Sequence, residues 1–213
     1  MQKPLIYLLS PLAKKGTKPL PMIAFKTYEK DLKLEGYDAL LFSSKQAVKS
    51  AYTLNPQAKT IPAFAIGSAT AKSIESLGGT LLYQAKEFYG KNLSQEIIEK
   101  FSSHKILYLR PKEISFDSKA FLAKENITID EKIIYETTCR QYSPKDKPSK
   151  NAIIIFTSPS TIKCFFNNFD WDKSYTAIVI GKATLKHLPK DIKVKVADVP
   201  LIDACVEKAR GLL

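Results

Sequence analysis

Two separate blocks of this chain recur at one constant spacing. Residues 66–72, Ile66-Gly67-Ser68-Ala69-Thr70-Ala71-Lys72, fall on Ile180-Gly181-Lys182-Ala183-Thr184-Leu185-Lys186 when the chain is shifted by 114 positions (180 − 66). The same shift lays "LLFSSKQAVKSAY" (40–52) on "IIFTSPSTIKCFF" (154–166), matching Phe42 to Phe156, Ser44 to Ser158 and Lys49 to Lys163. Either match alone is ordinary. Both in one register argue for an internal duplication, so the chain must fold into two similar halves.

Each half alternates strand-length apolar runs with helical patterns. The runs are "LIYLL" (5–9), "MIAF" (22–25), "ALLF" (39–42), "AFAI" (63–66), "TLLY" (80–83), "ILYL" (106–109), "KIIYE" (132–136), "AIIIF" (152–156), "AIVI" (177–180) and "VKVA" (194–197). Between them, segments such as "SKQAVKSAYTL", "LSQEIIEKFSS" and "LIDACVEKARGLL" carry apolar residues at helical spacing. Strands alternating with helices predict an α/β fold with parallel sheets flanked by helices.

The second repeat begins at 152 and lacks a counterpart to "ILYL". The segment "LIYLLSP" (5–11) resembles "ILYLRPK" (106–112) and is a candidate for the missing strand. Each of these is followed by an extended segment, "IAFKTYEK" (23–30) or "IIYETTCR" (133–140), in which Phe25 matches Tyr135 and Thr27 matches Thr137. The expected organisation is a discontinuous domain, 1–20 with 145–213, and a continuous domain, 35–128. Segments 21–34 and 129–144 then connect them as a two-stranded β-ladder. A simple sequential pair of domains would leave the second core unfinished.

Thirty-three basic against 21 acidic residues give a formal net charge of +12. The lysines are scattered rather than gathered into a basic arm, which ranks a polyanionic small molecule above a nucleic acid, with most lysines simply solvated. No run is long enough to span a bilayer, and the apolar part of "MQKPLIYLLSPLAKKG" is short for a signal peptide. Cys139, Cys164 and Cys205 are an odd number without metal spacing, and they read as free thiols of a cytoplasmic protein. His104 and His187 stand alone, so no metal site is expected.

In open α/β sheets, ligands sit beyond the carboxyl ends of the strands. Four such ends carry hydroxyls directly before a helix: Ser43-Ser44, Ser68 with Thr70, Thr157-Ser158 with Ser160, and Thr184 beside Lys182. There the first helical amides lack internal partners and the helix dipole favours an anion. The bland reading of each hydroxyl is an N-cap. Four related turns in two halves also suit a ligand with many carboxylates. No G-x-G-x-x-G or G-x-x-x-x-G-K-[ST] loop is present, and no Ser-His-Asp or Cys-His set has supporting context.

The paired "FSS" and "FTSPS" blocks, the paired "IG.AT" turns, "YLRPK" and "IIYETT" together resemble uroporphyrinogen-III synthase, from about residue 38 onward. The resemblance implies two α/β domains joined by a two-stranded ladder with the site in the cleft, and a cytoplasmic monomer. It implies cyclisation of hydroxymethylbilane to uroporphyrinogen III with inversion of ring D, no cofactor, and hand-over of substrate from hydroxymethylbilane synthase. Arg110 in "YLRPK" then joins the hydroxyl residues and Lys182 in substrate binding, and Tyr135 in "IIYETT" assists departure of water, although cross-strand packing explains its ring equally well. The chain departs from the family at "LLSPLAKKGTKPLP", where a first helix is expected to be absent or reduced and Lys14 and Lys15 are candidate replacements for a family arginine. A two-lobe binding protein for a small polyanion is the alternative, since fold does not fix function.

Overall fold

A computed structural model describes residues 3–28, 31–85 and 90–213. The chain opens with β1 (Ile6–Leu8), β2 (Lys18–Pro19) and β3 (Ile23–Thr27), and continues through β4 (Ala39–Phe42), α1 (Lys45–Leu54), β5 (Ala63–Ala65), α2 (Ser68–Ser76) and β6 (Leu81–Gln84). Next come α3 (Gly90–Lys100), β7 (Ile106–Pro111), α4 (Ser118–Ala123) and the long β8 (Asp130–Cys139). The last third holds β9 (Ile153–Phe156), α5 (Pro159–Asn168), β10 (Thr176–Val179), α6 (Lys182–Leu185), β11 (Val194–Val196) and α7 (Ile202–Arg210). The fold is α/β with two sheets, parallel apart from the pairing of β3 with β8, as the alternating pattern predicts. No described helix is long and apolar enough to cross a membrane.

The chain divides into two compact units: Met1–Ala24 with Thr138–Leu213, and Phe25–Thr137. In the discontinuous unit the sheet order is β11-β10-β9-β1-β2. In the continuous unit it is β3-β8-β7-β4-β5-β6. Superposing the orders puts β9 on β4, β10 on β5, β11 on β6 and β1 on β7. The registers repeat too. Leu40 pairs with Ala63 and Leu41 with Phe64, while Ile154 pairs with Ala177 and Ile155 with Ile178. Each of those residues lies 114 positions from its counterpart. The duplicated sequence therefore builds the same parallel pairing twice, and β1, beside β9, supplies the strand that the second repeat lacks.

Strands β4, β9 and β10 are buried along their whole length. Both faces of a parallel sheet are covered by its crossover helices, which is why these strands read as continuous apolar runs. In the continuous unit one face packs Leu40, Phe42, Ala63 and Leu109 under Val48, Ala51 and Ile74 of α1 and α2. The other packs Leu41, Phe64 and Ile106 against Leu93, Ile97 and Leu122 of α3 and α4. The discontinuous unit sets Ile154, Phe156 and Val179 under Ile162 and Phe165 of α5, and Ile155 and Ile178 under Cys205 and Val206 of α7.

The chain passes from one unit to the other within β3 and returns within β8. These two strands run antiparallel: the Arg140 amide donates to the Met22 carbonyl, and the Tyr28 amide to the Ile134 carbonyl. Between β1 and β2 there is no helix, where the other repeat has α4. Lys14 in that loop is ion-paired to Asp203 at 2.6 Å, so its charge is already engaged.

One expectation is overturned. Cys139 and Cys164 are not free thiols; they form a disulfide, with Cα atoms 5.1 Å apart. The two lie 25 residues apart, one at the end of β8 and the other on α5, so only the tertiary fold brings them within bonding geometry. Cys205 alone is free; burial in the α7 packing pushes its thiol pKa up to about 11.

Candidate active site

In the continuous unit the predicted residues gather at the carboxyl ends of β4, β5 and β7 and on the neighbouring β8. Ser44 follows β4 in extended backbone and caps α1, its Oγ accepting the Ala47 amide at 3.1 Å. A second hydrogen bond of 2.8 Å joins the same Oγ to the Tyr135 hydroxyl. Tyr135 sits on β8 opposite Pro111 of β7, only 4% exposed, with its ring edge-on to Phe25 at 5.8 Å. Burial pushes its phenol above the ordinary tyrosine value, and the Ser44 hydrogen bond pulls the other way. The phenol is therefore protonated at neutral pH.

The adjacent hydroxyl, Ser43, faces buried Tyr108, whose phenol burial pushes above the ordinary value while Ser43 pulls the other way. Beside it, Arg110 Nε stands 3.3 Å from Glu131 Oε2, both side chains being mostly buried. Arg110 Nη1 also donates to the carbonyls of Pro111 (3.0 Å) and Lys112 (3.2 Å). Its guanidinium is thus held in place rather than free to swing. The other Glu131 oxygen is buried and has no partner among the described residues. On the same strand, Glu136 takes hydrogen bonds from Lys112 and Tyr28, which hold its carboxyl below the ordinary value.

The two glycine turns of the repeat differ from the two serine turns. Ser158 caps α5 in a reciprocal box: its Oγ accepts the Thr161 amide, and Thr161 Oγ1 accepts the Ser158 amide, both at 3.2 Å. Capping is thus the one hydrogen bond that the Ser158 hydroxyl makes among the described residues, and one of two that Ser44 makes. By contrast α2 and α6 begin at Gly67 and Gly181, and no side chain caps them. Thr70 and Thr184 stand at equivalent positions in these first turns, each 4% exposed, and the Thr70 hydroxyl makes no side-chain hydrogen bond among the described residues. Ser68, Thr157 and Ser160 are half-buried, and Lys182 is exposed. In each unit, then, one turn is self-satisfied and one keeps its helix-start donors open.

Sequence reasoning missed Tyr108, Glu131 and Thr161. Tyr108 reads as a core residue of "ILYL", and only the fold brings its hydroxyl to Ser43. Glu131 carried no signal of its own, since it stands in the charged opening Asp130-Glu131-Lys132 of β8. A cavity of about 420 Å³ is lined by Glu131 together with Asp31, Tyr37 and Lys132.

Known proteins share this fold. A family model described as Uroporphyrinogen-III synthase HemD matches residues 10–207. Among solved structures, the chain is similar to uroporphyrinogen-III synthetase from Helicobacter pylori 26695, at 28% identity and a TM-score of 0.85, with 99% of this chain and 100% of that one covered. It shares its fold with a mutant uroporphyrinogen III synthase from the extremely thermophilic bacterium Thermus thermophilus, at 11% identity and a TM-score of 0.56, covering 99% and 97%. No curated protein sequence matches the chain.

Proposed function

Because the chain belongs to the uroporphyrinogen-III synthase family, an enzyme family of tetrapyrrole synthesis, we propose that it cyclises hydroxymethylbilane to uroporphyrinogen III, inverting ring D and releasing water, as a lyase without a cofactor. The observation that carries the reading is the family match along nearly the whole chain. The site chemistry is consistent with it. The substrate bears eight carboxylates, and the uncapped starts of α2 and α6, with Ser68, Thr70, Lys182 and Thr184, offer donors to anions. Arg110, fixed by Glu131, adds a cation held in one orientation.

In this reading the terminal hydroxymethyl group leaves as water when its oxygen is protonated. The pyrrole nitrogen pushes the electrons out, leaving an electrophilic azafulvene. Ring D attacks it at the substituted carbon, through a spiro intermediate that sets the inversion. Most of the enzyme's contribution is then conformational, holding a reactive chain in the geometry that closes through the inverted ring. Tyr135, protonated and near the start of α1, is the source of the proton. Freshly prepared hydroxymethylbilane, incubated with the protein without metal or nucleotide, should give the type III isomer on separation of the products. Only the type I isomer, which forms spontaneously, from folded protein would refute the proposal.

A further inference from the structure

The Ser44–Tyr135 pair carries one inference that rests on, and deepens, this reading. A serine hydroxyl has one proton and two acceptor positions. At Ser44 one acceptor position is taken by the Ala47 amide, 3.1 Å away. The hydrogen bond of 2.8 Å to Tyr135 can run either way. Were Ser44 the donor, the Tyr135 proton would need another acceptor inside the core, where the residue is only 4% exposed and its hydroxyl has no other hydrogen bond among the described residues. A buried polar hydrogen without a partner is costly. With Tyr135 as donor, both Ser44 acceptor positions are filled and the one uncommitted proton is that of Ser44. Ser44 is partly exposed, so that proton can meet water or a ligand.

We propose that Ser44 is the group that touches the leaving hydroxyl, and that Tyr135 acts through it. The step balances without a co-reactant. The Ser44 proton passes to the hydroxymethyl oxygen, the C–O bond breaks, and its electron pair leaves with water. The Tyr135 proton moves to Ser44 in the same step, since a serine alkoxide is too basic to be left behind. The pyrrole nitrogen lone pair forms the azafulvene. When the closed macrocycle loses its ring proton, that proton returns along the same path and restores the phenol. Tyr135 is on this view a positioning residue and proton reservoir that never contacts substrate. The repeat sets the arrangement apart: Ser158 makes the same cap on α5, but among the described residues its Oγ has no second side-chain hydrogen bond, where Ser44 has Tyr135.

The test is a double-variant cycle on the full chain, reading kcat and KM for type III product with melting temperature measured on each sample. Tyr135→Phe and Ser44→Ala should each lower kcat by roughly ten- to a hundredfold, at or below the low end of general acid assistance, with KM little changed. The double variant should be no slower than Ser44→Ala, because the two hydroxyls form one chain. Ser44→Thr keeps the hydroxyl and the cap, and should recover most of what Ser44→Ala loses, which separates the relay from a stability effect. The inference is overturned if Ser44→Ala turns over like the parent while Tyr135→Phe does not, or if the two losses multiply. If the parent itself forms no type III isomer, the functional reading falls and the relay falls with it.

Discussion

Equivalent residues of a duplicated sequence need not be kept for the same reason, and the two glycine turns make the point. Gly67 has φ +80° and ψ 152°, a region nearly closed to any residue with a Cβ. Gly181 is fully extended at φ 179°, and an added Cβ there meets no atom within 4 Å. Gly67→Ala should therefore lower unfolding stability by about 1–3 kcal/mol, while Gly181→Ala should leave it near the parent value; urea titration of the two variants decides. A single sequence cannot make this distinction, because both positions read as "IG.AT". The same blindness hid the partners of the candidate site. Hydroxyls after strands were visible as a pattern, but which of them are consumed by caps depends on backbone angles, and the tie between Ser44 and Tyr135 spans 91 residues.

At the scale of elements, the strands were the most legible part of the sequence. Burial on both faces turns β4, β9 and β10 into uninterrupted apolar runs, and the constant shift between repeats implied that the two halves are built alike. The two-residue β2 was not legible, because Lys18-Pro19 is exposed and too short to show a period. Nor was the disulfide, which ties the end of β8 to α5. Closing a loop of 25 residues limits the unfolded chain, and the loop-entropy relation puts the stabilisation at about 3.5 kcal/mol. Reduction by dithiothreitol should lower the melting temperature by several degrees. Cys164→Ala, which cannot form the bond, should melt low with or without the reductant. Equal melting of oxidised and reduced parent would show that the link contributes nothing.

The whole molecule is built as an insertion. Every core cluster draws its buried residues from one unit. The two crossings lie side by side, with Thr138 Oγ1 3.4 Å from the Ala24 carbonyl. Replacing Phe25–Thr137 by a two-residue turn such as Asn-Gly suits these antiparallel strands. The shortened chain should fold on its own, with a cooperative thermal transition and dispersed amide resonances. A chain that shows neither would mean that the discontinuous unit depends on the inserted one.

That insertion also sets an order of events on the ribosome. β1 emerges early, but its partner β9 follows roughly 150 residues later, on the order of 8–30 s at about 5–20 residues per second. The continuous unit is finished in the meantime and can fold while the chain is still growing. Ile6, Tyr7, Leu8 and Leu9, all buried in the finished protein, wait through that interval without a sheet to join. The nascent chain thus carries an apolar segment whose protection depends on the speed of translation, or on a chaperone that holds it until the last third arrives.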